Sequence, residues 1–210
     1  MAENITITNI QPQDVPRAAQ VLTDAFYDDV LWRYLIPQDN LRARALPLMM
    51  ANSVRYAIHY GVAIKTTDDM GFAVGLHSEL ADMDLRRMIR AGNFPSVLWP
   101  MLVMGRKNAR RMIDLTTRTE AARRDHISGK YFYGSTMGVV KTQQSRGLGR
   151  ALLKKLLEYT DEHQLRFYAE TQTEGNVAFY QRYGFRVVAE VPPPEPGLRF
   201  FCIIREPGGR

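Results

Sequence analysis

The chain has 210 residues, 45% of them hydrophobic and 24% charged, a balance that bounds it to one well-buried globular domain. No apolar run nears the roughly 20 residues that span a bilayer, and the segment Met1 to Ile10 lacks the basic-then-apolar order of a secretory leader. A lone cysteine, Cys202, excludes an internal disulfide and makes a reducing cytoplasm the expected compartment, while a net charge of +6 suits either nucleic acid or an anionic cofactor.

Ile5, Ile7 and Asn9 start an alternating pattern that predicts a first strand. Asp14 is placed to cap a helix whose apolar stripe is Val15, Ala18, Ala19, Leu22, Ala25 and Phe26. A second helix is marked by Leu46, Met49, Met50, Val54 and Ala57, with Pro47 in its first turn or at a kink, and Gly61 ends it. Val62 to Thr66 and Phe72 to Leu76 predict two strands joined by the hairpin loop Thr67 to Gly71.

Residues 79–125 are helical in composition but broken by Gly92, Pro95, Pro100 and Gly105, and read as a helical insertion within a single domain spanning 1–210. The insertion carries Arg106, Lys107, Arg110, Arg111, Arg118, Arg123 and Arg124 at near-helical spacing. No aromatic residues interleave with them as they would on a base-stacking platform, so a solvated helix face is expected and nucleic acid is not. Its apolar residues Phe94, Val97, Leu98, Trp99, Met101, Leu102 and Val103 are too many to leave in solvent, and predict a wall of a substrate pocket or a dimer contact.

From Tyr131 to Val140 the chain predicts a strand. Lys141 to Gly149 then forms a glycine-containing loop, and a helix follows with Leu148, Ala151, Leu152, Leu156 and Tyr159 on its apolar face. A strand, a loop and a helix N-terminus together make an anion site, because the first helical N–H groups lack intrahelical partners. Gly147 and Gly149 would let a pyrophosphate approach the backbone, and Arg146 and Arg150 would set positive charge beside it. Taken alone this is a weak signal. The dinucleotide fingerprint wants a third glycine, and the nucleotide-triphosphate loop wants Gly-Lys-Ser/Thr. Leu165 to Thr171 predicts a strand, Asn176 to Tyr183 a short helix, and Arg186 to Val191 and Arg199 to Ile204 a closing hairpin across the turn Pro192 to Gly197.

The run Gln144, Ser145, Arg146, Gly147, Leu148, Gly149 resembles the Gln/Arg-x-x-Gly-x-Gly/Ala motif of the GNAT acetyltransferase superfamily. The run from Asn176 through Phe179 and Tyr180 to Tyr183, Gly184 and Phe185 resembles its second hallmark, in the expected order. From about Tyr131 to Pro207 the chain is similar to the puromycin N-acetyltransferase group, through Glu170-Thr171, the Phe-Tyr-x-x-Tyr-Gly-Phe pattern, and the proline-rich hairpin with Cys202. Asp24 to Pro37, with Trp32 and an Ile-Pro pair, also resembles that group's first inter-helix loop.

The resemblance implies an α/β fold, a mixed and mostly antiparallel sheet of about seven strands flanked by helices and splayed between the fourth and fifth. It implies acetyl-CoA as cosubstrate and direct acetyl transfer to a primary amine of a small molecule. A peptide or lysine acceptor and a non-catalytic CoA-binding module are the alternatives. The cofactor would lie on Met137, Gly138, Val139, Gln144, Ser145, Arg146, Gly147, Leu148, Gly149, Arg150 and Asn176, with the Val139 N–H on the thioester carbonyl. Asn176 and Tyr180, four residues apart, share one helix face, and Tyr180 would protonate or hydrogen-bond the leaving thiolate. Glu170 is either the base for the amine or a structural acceptor, with His77 and Glu79 as weaker candidates. Phe26, Tyr27, Trp32 and Tyr34 would wall the acceptor. His126 is expected on the surface and Cys202 in packing. The four histidines show no metal-ligand spacing, so no metal is expected, and the chain is expected to be a monomer or homodimer without a membrane partner.

Overall fold

Alternating apolar residues and glycine-bounded hairpins assemble into a sheet of seven strands in the order β1-β2-β3-β4-β5-β7-β6. The computed structural model describes residues 5–82, 84–94, 96, 98–191 and 198–209. The proline-rich turn 192–197, Pro95 and Val97 lie outside them. The strands are β1 (Ile7–Asn9), β2 (Gly61–Thr66), β3 (Gly71–His77), β4 (Tyr131–Val139), β5 (Arg166–Thr171), β6 (Arg186–Val191) and β7 (Phe200–Arg205). Every pairing is antiparallel except β4 with β5.

One face of the sheet carries α6 (Leu148–Glu162) and α7 (Glu174–Gln181). The other carries α1 (Val15–Phe26), α2 (Val30–Leu35), α3 (Asp39–Tyr60), α4 (Leu85–Met88) and α5 (Trp99–His126). Leu152, Leu153, Leu156 and Leu157 of α6 pack on Phe132 and Phe167, and Ala18, Val21 and Leu22 of α1 pack on Phe72 and Val74. Burying such side chains contributes roughly 1.5–3 kcal/mol each, which fixes both layers to the sheet.

Several local expectations are corrected. Asp14 occupies the N-cap of α1 but makes no cap bond. Its carboxylate accepts the Gln11 N–H and pairs with Lys65 at 2.9 Å instead. The second helix begins at Asp39, so Pro47 lies well inside it and not in its first turn. The loop before it contains a short helix, α2, capped by Asp29 through the Leu31 N–H at 2.9 Å. The insertion is dominated by the 28-residue α5, interrupted at Gly105 (φ 76°). It belongs to the common core, since Met104 and Leu115 are buried with Leu35, Ile36, Tyr168 and Cys202.

A β-bulge breaks β4. Val74 pairs with Thr136 and Gly75 with Gly134, leaving Ser135 unpaired. The bulge adds twist and turns the strand away from its neighbour. The parallel pairing with β5 accordingly stops at Gly134↔Ala169. The glycines make this crossing possible, because a Cβ on Gly75 would stand 2.2 Å from the Phe132 ring and one on Gly134 2.4 Å from the Phe167 ring.

Candidate active site

Beyond the bulge, β4 and β5 separate and a cavity of about 600 Å³ opens between them. Residues Ser135, Thr136, Met137 and Val139 line one side and Glu170, Thr171 and Gln172 the other. The Val140 N–H donates to the Met70 carbonyl at 2.8 Å, toward β3. Amides alternate along a strand, so the Val139 and Met137 N–H groups point the other way, into the gap that β5 has left.

At one end lies the loop before α6. Ser145 (φ 68°) and Gly147 (φ 90°) are both left-handed, a succession that aims neighbouring amides at one concavity and so favours an anion. Gln144 and Ser145 line the cavity. A Cβ on Gly149 would meet nothing within 4 Å, so its surface is open. The remaining residues of the predicted phosphate motif are placed differently. Leu148 is buried in the core, Arg146 is exposed and donates to Gln143 at 2.6 Å, and Arg150 is exposed outside the cavity lining. Gly138 turns its Cα to α1, where a Cβ would lie 3.0 Å from Leu22 and 3.1 Å from Ala25, so it does not face the cavity.

On the α6/α7 face, Asn176 and Tyr180 both line the cavity, one turn apart on α7 as the spacing predicts. Thr173 caps that helix through the Asn176 N–H at 3.1 Å. The Tyr180 ring packs on Phe179 and Phe185, and burial pushes its hydroxyl up to about 12.

On the opposite face, Glu170 shares its side of β5 with Tyr168, since alternate strand residues point the same way. Glu170 Oε1 and the Tyr168 hydroxyl are sealed from solvent without a hydrogen-bond partner. Burial raises the Glu170 pKa; the nearby Tyr133 hydroxyl, the Arg123 guanidinium and the Tyr168 hydroxyl partly oppose it. Unpaired buried polar atoms are rare in folded proteins and often mark chemistry.

Of the residues expected to wall an acceptor, two line the cavity and two do not. Phe26 and Trp32 line the cavity. Tyr27 and Tyr34 do not: the Tyr27 hydroxyl donates to the Asp39 carbonyl with Arg42 over its ring, and the Tyr34 ring lies under Arg111. Asp29, Leu31 and Met50 line it instead. The sequence carried no signal for them, because they come from a short helix hidden in a loop and from the middle of a core-like stripe. His77 bonds the Tyr159 hydroxyl at 2.9 Å, and Glu79 is exposed, so neither reaches the site. His126 is on the surface and Cys202 is buried in the core. Phe94, Leu98, Trp99, Met101 and Leu102 are exposed and line no part of the cavity, against the expectation that solvent would not hold them. Among the described residues no group of His, Cys, Asp and Glu could hold a metal ion, and no helix is long and apolar enough to cross a membrane.

Comparison with known proteins agrees with this architecture. Residues 121–202 match the sequence model of the acetyltransferase (GNAT) domain family. The chain is 25% identical over 183 residues to an uncharacterized N-acetyltransferase, C550.08, of Schizosaccharomyces pombe, covering 84% of this chain and 72% of the relative. Among solved structures, one described as histone acetyltransferase HPA2 and related acetyltransferase from Corynebacterium glutamicum superposes with a TM-score of 0.72 at 18% identity, covering 97% of this chain and 96% of the other. The Drosophila melanogaster polyamine N-acetyltransferase, which forms N-acetylagmatine, superposes with a TM-score of 0.60 at 11% identity, covering 97% and 100%. The seven-stranded sheet opened between β4 and β5 has the GNAT fold, and the domain match across that opening supports an N-acetyltransferase.

Proposed function

We propose that the chain transfers an acetyl group from acetyl-CoA directly to a primary amine of a small molecule. The observation that carries this reading is one continuous cavity between β4 and β5. It runs from the anion-binding loop at Gln144 and Ser145, past Asn176 and Tyr180 on one face, to Glu170, Asp29, Phe26 and Trp32 on the other. Cofactor and acceptor would thus meet from opposite faces in one ternary complex, where holding both in place replaces a bimolecular encounter.

An alkylamine arrives as an ammonium ion and must lose a proton before it attacks. Glu170 takes that proton as a carboxylate, directly or through water. Attack on the thioester carbonyl forms the C–N bond and places negative charge on oxygen, where the Val139 N–H donates. Collapse breaks the C–S bond, and the Tyr180 hydroxyl donates to the departing thiolate.

The small-molecule acceptor is favoured by the aromatic and acidic lining of the acceptor end, which suits a compact cationic amine. The resemblance to the puromycin N-acetyltransferase group points the same way. A panel of aryl and alkyl amines with acetyl-CoA, followed by release of free thiol, tests it. Turnover of small amines without turnover of lysine-containing peptides supports the reading. Turnover confined to peptides overturns the acceptor class, and cofactor binding without any turnover overturns the reaction.

A further inference from the structure

The insertion helix α5 does more than complete the core. Near its C-terminal end it delivers Arg123, 4% exposed, beneath the acceptor side of the sheet. The guanidinium carbon stands 4.9 Å from the centre of the Tyr133 ring. One terminal nitrogen bonds Asp82, whose carboxylate is largely in solvent, while the Arg123 Nε is buried without a partner. The unpaired Tyr168 hydroxyl and Glu170 Oε1 occupy the same face of the sheet. A buried guanidinium with an unused donor is costly unless it offsets a nearby negative charge, and Arg cannot shed its own charge. Asp82 takes up one end of it, Tyr133 and Tyr131 lie against the rest, and Glu170 is the buried carboxylate on that face that its charge reaches.

We propose that Arg123 is a positioning residue of the acetyltransferase site: from the insertion helix it holds Tyr133 against the acceptor side and keeps Glu170 in its carboxylate form. The proposal rests on the reading of Glu170 as the base. The groups that face Glu170 are few. They are Tyr133 and Tyr131 from β4, Tyr168 from β5, Cys202 from β7, Arg123 from α5 with Asp82 behind it, and Asp29 across the cavity. Neighbouring α2 and α3 add apolar Leu35, Ala45 and Met49 to that cluster. Among the described residues, Arg123 is the cation that acts on Glu170. Burial raises the Glu170 pKa, and the Arg123 charge is among the effects that lower it.

The test is a pH titration of the full chain carrying carboxyl-labelled glutamate, read by carbon NMR, with the Glu170 signal assigned by its loss in Glu170→Gln. Arg123→Gln is expected to move the Glu170 midpoint up by about one pH unit. Arg123→Lys, which keeps the charge, should restore most of it. Asp82→Asn, at an exposed position, removes a competing anion and should move the midpoint down, so the proposal stays testable should Arg123→Gln fail to fold. An unmoved midpoint in both Arg123→Gln and Asp82→Asn, or a Lys variant as displaced as the Gln variant, would overturn it. Acetyl-transfer profiles for two amines of different basicity separate the two readings. A limb common to both amines that follows the NMR midpoint supports the coupling. Full turnover in Glu170→Gln would remove the base reading itself, whatever the titration shows.

Discussion

Tyr180 and Glu170 are both shifted by burial, with opposite consequences for their roles. The Tyr180 hydroxyl, pushed up to about 12, is a weaker acid than an ordinary thiol, which ionises near ~8.5. Full proton transfer to a departing thiolate is therefore uphill, and hydrogen bonding to it is the contribution this geometry favours. A hydrogen bond to a charged partner contributes about 1.5–3 kcal/mol. Tyr180→Phe, which keeps the ring between Phe179 and Phe185, should lower turnover by about 10- to 100-fold. Acetyl-CoA affinity should be nearly unchanged in calorimetry. Full turnover would make Tyr180 a packing residue, and lost affinity would make it a binding residue. Glu170 holds its proton to higher pH in the folded chain than its ordinary value of 4.5. Its favourable contribution to stability is complete below that ordinary value and is lost as pH rises through the raised one. Glu170→Gln should then abolish most turnover yet melt higher than the parent at pH 8, by about 2–4 °C for each kcal/mol recovered, with the gap closing near pH 4. A variant that melts lower at pH 8 would show that the carboxylate is structurally required.

The loop before α6 is an element whose use depends on bare backbone. Gly147 needs its left-handed φ of 90° as the helix N-cap, whereas Gly149 has ordinary helical geometry and open space where a Cβ would be. The two glycines therefore separate under substitution. Gly149→Val should fold with a melting temperature close to the parent, since it meets no neighbour, but weaken acetyl-CoA at least about 10-fold by holding the phosphates off the amides. Calorimetry on the folded variant decides this, and unchanged affinity would remove the loop from the cofactor site. This loop was legible in sequence because glycine and motif order are local, and so was the Asn176–Tyr180 face, which follows from helical period alone. The strand boundaries of β2 to β7 were legible within about two residues for the same reason. The bulge at Ser135, the α2 helix and the early start of α3 were not. Each depends on a partner distant in the chain: β3 for the bulge, α5 for α2, and the Leu35–Met104 core for the first turns of α3. Of the four aromatic residues expected around an acceptor, only two reach the cavity. Phe26 and Trp32 were chosen by type, but the neighbouring Tyr27 and Tyr34 are turned away by Arg42 and Arg111, cations whose positions only tertiary packing fixes.

At the scale of the whole molecule, the sheet divides the work. The loop before α6 and Tyr180 lie toward α6 and α7, while Glu170, Phe26 and Trp32, the proposed base and acceptor walls, lie toward α1, α2 and α5. The insertion buries Arg123 at its far end, whereas its near end buries Ala91, Pro100 and Met104 but leaves an apolar side in solvent. Phe94, Leu98, Trp99 and Leu102 are exposed, Trp99 by 53% and Leu102 by 71%. They lie N-terminal to Gly105, where the helix changes direction, while the segment after it supplies Asn108, Leu115 and Arg123 to the core. The two halves of α5 should therefore respond differently to charge. Exchanging Trp99 and Leu102 together for glutamate changes two side chains that are each more than half exposed, and surface changes of this kind usually alter stability by about 0.5 kcal/mol or less. The double variant should melt within about 2 °C of the parent and acetylate a small amine at the parental rate, because neither side chain lines the cavity. Sedimentation at matched concentration completes the measurement. A variant that loses turnover and sediments as a smaller species would show that a second copy covers this surface and completes the site. One that unfolds would show that the near half of α5 is packed in the working molecule after all.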